Sequence, residues 1–193
     1  MKKNALLSLL FFGLASLLVS TTSCDKVKEA ASFDVKINAP AHQFTLDSAD
    51  YLTKSTLEES LFTYQLVNIN IDSVLNAAGI SSATISNGGV TNTTLTILLP
   101  PGSNFDWLQS ARVTAAATLE GLPTGTQIAH TGTINPGSST LDLILDNAAL
   151  TTFITNSNFY VGVFGTLVGP LPSSQVTCVF NSTFVFTVNP LGE

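Results

Sequence analysis

The sequence predicts an all-β fold, a single β-sandwich with one or two short helices, and three observations carry the prediction. About eight to ten short segments alternate apolar and polar residues, which is the period of a half-buried strand. Gly and Pro turns separate these segments. Thr, Val, Ile and Phe, which suit pleated sheets, are abundant, whereas charged residues make up only 10% of the chain. Because the immunoglobulin pattern of paired Cys around a Trp is absent, the choice between an Ig-like and a jelly-roll-like sandwich stays open.

The predicted strands follow one another from residue 33 to the C-terminus. The first alternates apolar and polar residues from Phe33 to Ile37 and ends before Pro40. Asn87-Gly88-Gly89 predicts a hairpin turn, and Asn135-Pro136-Gly137 predicts a second turn. The predicted strand ranges are 33–37, 43–46, 62–71, 83–86, 93–99, 113–119, 126–133, 140–145, 158–168 and 175–189.

Two short helices are predicted where an Asp precedes a brief run of helix-compatible residues. The Asp72 carboxylate could accept hydrogen bonds from the first free amides of a helix over 73–78, which Gly79 would end. Asp146 is the equivalent candidate before a helix over 147–154. These two units resemble each other too weakly to indicate a repeat.

Two segments supply most of the predicted core. A helical turn over 104–109 would carry Phe105, Trp107 and Leu108 inward after a Pro-Pro-Gly turn. The strand over 175–189 has the longest regular pattern, and it predicts a central strand with one buried face. That face, interrupted only by Ser182, consists of Val176, Cys178, Phe180, Phe184, Phe186 and Val188. Cys178 is therefore expected to be a small buried hydrophobe rather than a reactive thiol.

The first 23 residues have the order of a secretory signal peptide. Lys2 and Lys3 form a basic start, residues 5–19 form an uncharged apolar run, and residues 20–23 are small and polar. The apolar run has 15 residues, whereas a membrane-spanning helix needs about 20. The sequence therefore predicts export and removal of residues 1–23.

Cys24 directly follows the signal peptide, in the sequence Thr21-Thr22-Ser23-Cys24. This sequence resembles the lipobox of exported bacterial lipoproteins, and its Ser-Cys ending is similar to that of small envelope lipoproteins of the Bacteroidota. The usual box has Leu where this chain has Thr21. The resemblance implies export through the Sec route, a diacylglyceryl group and palmitate on Cys24, and a place at the outer membrane or cell surface. The alternative is ordinary cleavage after Ser23.

Composition divides the chain and excludes two classes of partner. Residues 1–23 are the predicted signal peptide, 24–32 the lipidated Cys with a charged tether, and 33–193 one sandwich domain. Loss of the two signal-peptide lysines leaves five basic residues against 13 acidic ones, a net charge near −8. Nucleic acids and anionic lipid surfaces need clustered Lys and Arg, so neither is an expected partner. Membrane attachment is expected through the lipid on Cys24 alone.

No residue pattern predicts a catalytic site, a metal ion or a cofactor. His42 and His130 lack the close His or Cys spacing of zinc sites. A Gly-x-Ser-x-Gly sequence and a Gly-rich phosphate loop are both missing from the sequence. A hydrolase would need two facing carboxylates, and turn, capping or solvated roles account more simply for the four acids that could supply them, Asp106, Glu120, Asp142 and Asp146.

A sugar-binding module would use exposed aromatic rings as stacking platforms. The candidates are Trp107, Tyr51, Tyr64 and Tyr160. Trp107 lies among core residues, so a buried position is expected for it. Tyr51 lies in a predicted polar loop over 47–57 and is the better candidate for exposure.

Two short segments resemble the O-glycosylation motif of exported Bacteroidota proteins, Asp followed by Ser and a small or apolar residue. They are Asp47-Ser48-Ala49 and Asp72-Ser73-Val74. The resemblance makes Ser48 and Ser73 candidate acceptors. Because a capping role would explain Asp72, and Ser48 lies in the polar loop, Ser48 is expected to be the more accessible.

These features together predict a lipid-anchored cell-envelope protein with a non-catalytic binding or structural role. Its partner would be a glycan or another envelope protein. A glycan-binding module of a surface uptake system is the alternative, and a carboxylate-based hydrolase is a further one. Two carboxylates, or a His and a carboxylate, meeting in a cleft would favour the hydrolase, and exposed aromatic rings there would favour glycan binding.

Overall fold

Two antiparallel β-sheets pack face to face, which confirms the all-β sandwich. The computed structural model describes residues 32–51, 58–80 and 83–190. The predicted signal peptide, Cys24 and the tether as far as residue 31 lie outside the described residues. The strands are β1 (Phe33–Asn38), β2 (His42–Asp47), β3 (Ser60–Asn68), β4 (Thr84–Leu99), β5 (Leu108–Ala116), β6 (Thr126–His130), β7 (Thr140–Asp142), β8 (Ile144–Leu145), β9 (Asn158–Leu167) and β10 (Gln175–Asn189), and the α-helices are α1 (Ile71–Ala77) and α2 (Thr151–Thr155).

Strand order places the longest strands inside each sheet. The first sheet has the order β1-β10-β4-β7, with β2 also paired to β10, and the second has the order β3-β9-β5-β6-β8. The edge strands β7 and β8 lie on the same side of the sandwich, because the chain passes directly from one to the other through buried Leu143. On that side the polypeptide itself closes the sandwich.

The C-terminal strand β10 has the predicted boundaries and the predicted buried face. Every residue of the apolar phase is buried, including Ser182, and the opposite face is mostly half-buried. Phe184 is fully buried and meets Phe159 of the second sheet edge-on, with 5.2 Å between ring centroids. β10 therefore joins the two sheets through a row of side chains that alternate with polar residues on its outer face.

The outer face of the first sheet is polar, and its side chains pair across neighbouring strands. Hydroxyl, amide and carboxylate groups meet at hydrogen-bond distance along β10, a pairing that stabilises sheets. The cross-strand pairs include Thr45–Thr177 at 3.1 Å, Thr96–Thr140 at 3.2 Å, Asn38–Thr183 at 2.8 Å, Asp34–Thr187 at 2.8 Å and Ser86–Asn189 at 3.0 Å. Several polar side chains of this face therefore pair with one another within the sheet.

The predicted hairpin turn at Asn87-Gly88-Gly89 is wrong, because these residues lie inside the 16-residue strand β4. Asn87 has a φ of 52°, and the pairing of β4 with β10 shifts register on either side of Val185. Such shifts are β-bulges, where Asn and Gly are favoured for conformational reasons. The glycines therefore bend a continuous strand instead of ending it.

Gly88 is required because helix α2 lies directly on it. A Cβ atom at Gly88 would stand 2.6 Å from the backbone nitrogen of Thr151 and 2.8 Å from Ile154. The Gly88 amide donates to Thr151 Oγ1 at 3.0 Å, and the Gly88 carbonyl accepts from the Leu150 amide at 2.8 Å. The helix is thus hydrogen-bonded to the strand at Gly88, where the absence of a side chain permits the close approach.

The single strand predicted over 140–145 is two short strands that belong to opposite sheets. β7 pairs with β4 in the first sheet, whereas β8 pairs with β6 in the second. Leu143 lies between them, buried, and its amide donates to the Thr93 carbonyl at 3.0 Å. Alternation of apolar residues continues through the crossing, so the sequence pattern does not mark where the chain changes sheet.

Both predicted helix caps are wrong. Helix α1 begins at Ile71, and its cap is Asn70, whose Oδ1 accepts from the Ser73 amide at 2.9 Å; Asp72 lies in the first turn. Helix α2 begins at Thr151 with no side-chain cap, and Asp146 lies before it, beyond reach of its first turn. Neither helix in the described ranges has the length and apolar character needed to cross a bilayer.

Other boundaries differ by a few residues from the prediction. The strand predicted over 62–71 ends at Asn68, that over 113–119 runs from Leu108 to Ala116, and that over 126–133 ends at His130. The predicted turn over 104–109 is present in part, since the Leu108 amide donates to the Phe105 carbonyl at 2.9 Å. Phe105, Trp107 and Leu108 are all buried, as expected.

Substituting the two adjacent glycines of β4 tests the close packing of α2. Gly88→Ala should lower the free energy of unfolding by about 1–3 kcal/mol, because the new methyl group overlaps the α2 backbone. Gly89→Ala is the matched control, since a Cβ there has no neighbour closer than 4.0 Å, and it should change stability by less than about 0.5 kcal/mol. Urea unfolding of the mature chain measures both, and equal effects of the two substitutions would contradict this packing.

Candidate functional site

A cleft of about 200 Å³ opens beside β7, the edge strand of the first sheet. Its other wall is the loop over 131–139, which connects β6 to β7. The lining is dominated by uncharged polar residues. It consists of Thr131, Gly132, Thr133, Ile134, Asn135, Ser138, Thr140, Leu141 and Asp142.

The loop that borders the cleft is held by a turn and by an acidic side chain. The Ser138 amide donates to the Asn135 carbonyl at 3.2 Å, and Gly137 has a φ of 78°, as position three of a type II turn requires. Asp106 Oδ1 accepts from the Gly137 amide at 2.8 Å. The turn predicted at these residues is thus confirmed, and Asp106, one of the four candidate carboxylates, has a structural role in fixing it.

The rest of the cleft is attached to both sheets. Thr131 exchanges hydrogen bonds with Ala111 of β5: the Thr131 amide donates to the Ala111 carbonyl at 2.8 Å, and Thr131 Oγ1 accepts from the Ala111 amide at 2.9 Å. The Phe105 amide donates to the Ser138 carbonyl at 2.8 Å. Thr140 meets Thr96 of β4 at 3.2 Å. The cleft is therefore fixed by several independent hydrogen bonds.

Four polar side chains in the cleft make no hydrogen bond to the described part of the chain. They are Thr133, Asn135, Ser138 and Asp142. Of the lining residues only Asp142 carries a charge. This distinguishes the cleft from the outer face of the first sheet, where polar side chains pair with each other. Sequence patterns mark Asn135 only as a turn residue and do not mark Thr133 or Ser138; the available signal is the uncharged, mostly polar run from Thr131 to Thr140 between two strands.

Basic groups do not line the cleft. Arg112 lies on β5, where Glu59 binds its guanidinium through two contacts of 2.6 Å, and the same group lies 4.6 Å from the centre of the Phe164 ring. The hydrogen bonds that Arg112 donates to Glu59 raise the pKa of Arg112. Lys36 lies on β1, in the first sheet but at the edge opposite β7. Asp142 is therefore the charged group among the described residues that line the cleft.

Each histidine has one partner of a catalytic triad but not both. His42 Nε2 lies 2.7 Å from Thr63 Oγ1 and links the two sheets, and burial lowers the pKa of His42. His130 Nδ1 lies 3.1 Å from Asp146 Oδ2, which also accepts from Gln127 at 3.0 Å. A triad needs a hydroxyl or thiol on one ring nitrogen and an acid on the other. In the described ranges neither histidine makes both contacts, and neither lines the cleft.

The four candidate carboxylates occupy separate elements. Asp106 precedes β5, Glu120 follows β5, Asp142 belongs to β7, and Asp146 follows β8. Asp106 and Asp146 are engaged by backbone and side-chain donors, and only Asp142 lines the cleft. No group of three or more His, Cys, Asp or Glu among the described residues could hold a metal ion.

None of the four candidate aromatic residues lines the cleft. Trp107 is buried, as predicted. Tyr51, the better candidate for exposure, is half-buried and so more exposed than Trp107 but less exposed than Tyr64. It meets Phe62 edge-on with 6.0 Å between ring centroids, and burial is the main cause that raises its pKa to about 12. Tyr64 is 46% exposed and lies beside Tyr160, but their ring planes are tilted by 57° and do not form one flat platform.

Ser73 is more exposed than Ser48, so the prediction that Ser48 is the more accessible of the two candidate glycosylation serines is wrong. Ser48 is half-buried at the start of a 3₁₀ helix, where Asp47 accepts from the Ala49 amide at 3.0 Å. Ser73 is exposed on the first turn of α1, and Asp72 beside it has no capping role. Ser73 is therefore the more accessible of the two candidate serines.

Cys178 is a buried free thiol on β10, which confirms its predicted place in the core. Burial raises the pKa of this thiol from its ordinary value of 9.0 to about 12. Since the thiolate is the reactive form, the thiol is protected in the folded state by both access and ionisation.

Thiol labelling tests the burial of Cys178 in the Cys24→Ala variant, where it is the remaining Cys. A thiol reagent should label the native protein slowly and the urea-unfolded protein fast.

The pH dependence of stability gives a second test of the same burial. The unfolded thiol ionises near pH 9.0 and the folded one near 12, so the protonated thiol favours folding below pH 9 and this contribution is lost as the pH rises towards 12. Unfolding free energy should fall more steeply above pH 9 than in a Cys24→Ala/Cys178→Ala control, and rapid native labelling would contradict this placement.

No family model and no curated protein matches this chain. The function proposed for it therefore depends on its own residues and geometry.

Proposed function

We propose that this protein is a lipid-anchored protein of the bacterial cell envelope, exported through the Sec route, with a non-catalytic binding role. The membrane attachment would be the acyl groups on Cys24, and the binding site would be the cleft beside β7. The observation that carries the binding role is that four polar side chains lining the cleft are open to solvent and make no hydrogen bond to the described part of the chain.

The position of the cleft relative to the anchor supports this role. Phe33, where the domain begins, pairs with Val188 of β10, whereas Thr140 of the cleft is in register with Thr96 and hence with Val179. These two levels of β10 are nine residues apart, or about 30 Å along the strand. The segment over 25–31 could span at most about 25 Å when extended. The end of the sandwich at Phe33 would then face the membrane, with the cleft displaced away from it.

A non-catalytic role fits the separation of the reactive groups. Hydrolysis by paired carboxylates needs two acids facing each other across a bound substrate, and in this domain only Asp142 lines the cleft. The convergence of His130 and Asp146 is the feature that the hydrolase alternative would use. Gln127 also binds Asp146, and this favours a structural role for the pair.

The glycan-binding alternative is favoured by the composition of the cleft rather than by the aromatic residues. Hydroxyl and amide groups dominate the lining, whereas Tyr64 and Tyr160 lie elsewhere. If the exported chain is modified on an Asp-Ser motif, Ser73 is the proposed acceptor, since it is exposed.

Loss of the lipid attachment site tests the proposed anchor. The wild-type mature chain should enter the detergent phase on phase separation, and Cys24→Ala should move it to the aqueous phase, because Thr21 and Ser23 still permit ordinary signal cleavage. Cys178→Ala is the matched control and should stay in the detergent phase, since Cys178 is buried in the domain.

Mass spectrometry of the N-terminal peptide completes this test. The expected wild-type peptide begins at Cys24 and carries the mass of the acyl groups. A wild-type mature chain that begins with unmodified Cys24 and partitions into water would overturn the anchor.

A further inference from the structure

We propose that the cleft beside β7 binds a neutral sugar residue through its hydroxyl groups. This inference rests on the proposed binding role and names the class of ligand. It depends on four properties of the cleft: its charge, its polarity, its size and the rigidity of its walls.

The charge of the cleft disfavours both anions and metal ions. Asp142 is the one charged residue in the lining, so an anionic ligand would meet a carboxylate and no compensating cation. Calcium takes six to eight oxygen ligands, usually with several carboxylates, and the described residues hold no cluster of three or more acidic, His or Cys side chains. A neutral ligand meets neither of these obstacles.

The polarity of the lining identifies what that ligand must offer. Asp142 only accepts hydrogen bonds, Asn135 both donates and accepts, and the hydroxyls of Thr133 and Ser138 do either. A ligand with several groups that donate and accept at once, as sugar hydroxyls do, would satisfy all of them. An apolar ligand would leave these groups without partners, which is unfavourable.

The cleft also has a small apolar surface, against which the C–H face of a sugar ring could pack. Ile134 lines the cleft, and Ile144 beside it is 51% exposed. Ile144 lies close to the wall at Gly132, since a Cβ there would stand 2.8 Å from Ile144 Cδ1, the end of an exposed side chain. The polar groups and this apolar rim together match the two kinds of surface on one sugar residue.

The size and rigidity of the cleft limit the ligand to a single residue or a chain end. Its volume of about 200 Å³ is below the roughly 300–1,000 Å³ typical of sites for drug-sized molecules. Hydrogen bonds fix the walls before a ligand binds. They join Asp106 to Gly137, Phe105 to Ser138 and Thr131 to Ala111. Such preorganisation lowers the entropy lost on binding.

Ligand-detected NMR tests this inference on the mature chain in a detergent without sugar groups. The probes are the methyl glycosides of glucose, galactose, mannose and N-acetylglucosamine at millimolar concentration, with glucuronate and calcium chloride as comparators. At least one neutral glycoside should receive saturation from the protein. Neither glucuronate nor Ca²⁺ should compete with it.

Cleft variants locate the binding site. Asp142→Asn and Asn135→Ala should each weaken binding of that glycoside at least about tenfold, because each removes a hydrogen-bonding group from the ligand. Glu120→Gln is the matched control: it neutralises an exposed carboxylate outside the cleft and should leave the affinity unchanged. All substituted side chains are exposed, so the folded state should be retained, as thermal unfolding can verify.

Three outcomes would overturn the inference: no saturation of any neutral glycoside, binding unaffected by either cleft variant, or displacement by glucuronate or Ca²⁺. Each can be separated from failure of the proposed anchor, because phase partition depends on Cys24 and not on the cleft. A chain that partitions into detergent and fails to bind glycosides would keep the anchor and lose this ligand.

Discussion

The rest of the structure depends on the burial of one face of β10 against the second sheet. This strand pairs directly with β1, β2 and β4. The remaining strand of the first sheet, β7, pairs with β4. Its apolar side chains meet the second sheet through contacts such as that of Phe184 with Phe159. Because hydrophobic burial is the dominant favourable term in folding, this face fixes the separation and the relative position of the two sheets.

The cleft is a consequence of how the chain closes one side of that sandwich. β7 belongs to the first sheet and β8 to the second, with buried Leu143 between them. The loop before β7 connects β6 of the second sheet to β7 of the first, so it passes over this side of the sandwich. The Asp106 carboxylate holds the loop by accepting a hydrogen bond from the Gly137 amide. Thr133, Asn135 and Ser138 on that loop make no side-chain hydrogen bond to the described part of the chain, unlike the paired residues on the outer face of β10. Their hydrogen-bonding capacity remains available to solvent or to a ligand.

The sequence predicted those elements whose pattern depends on burial of one face. The boundaries of β10, the core positions of Phe105 and Trp107 and the place of Cys178 all follow from a period of two or from apolar runs. It failed where tertiary contacts decide the outcome. The sequence pattern predicts a turn at Gly88. Instead, the absence of a side chain there lets helix α2, which is distant in sequence, pack against the strand.

The candidate site was less predictable than the fold, for a physical reason. Thr133 and Ser138 have no chemistry that distinguishes them from the many other polar residues of the chain, and only the loop conformation brings them together with Asp142. The helix caps failed similarly, because Asn70 and Asp72 are both capable caps and the end of β3 decides between them. Sequence periodicity reports which face is buried, and it does not report where loops converge.

The measurement that tests the central claim most directly compares the two faces of β10 by urea unfolding of the mature chain. Phe184→Ala removes a fully buried ring and should lower the free energy of unfolding by about 3–5 kcal/mol. Thr183→Ala removes a hydrogen bond to Asn38 on the outer face and should lower it by less than about 1 kcal/mol. Equal losses for the two substitutions would contradict a sandwich organised by one buried face of this strand.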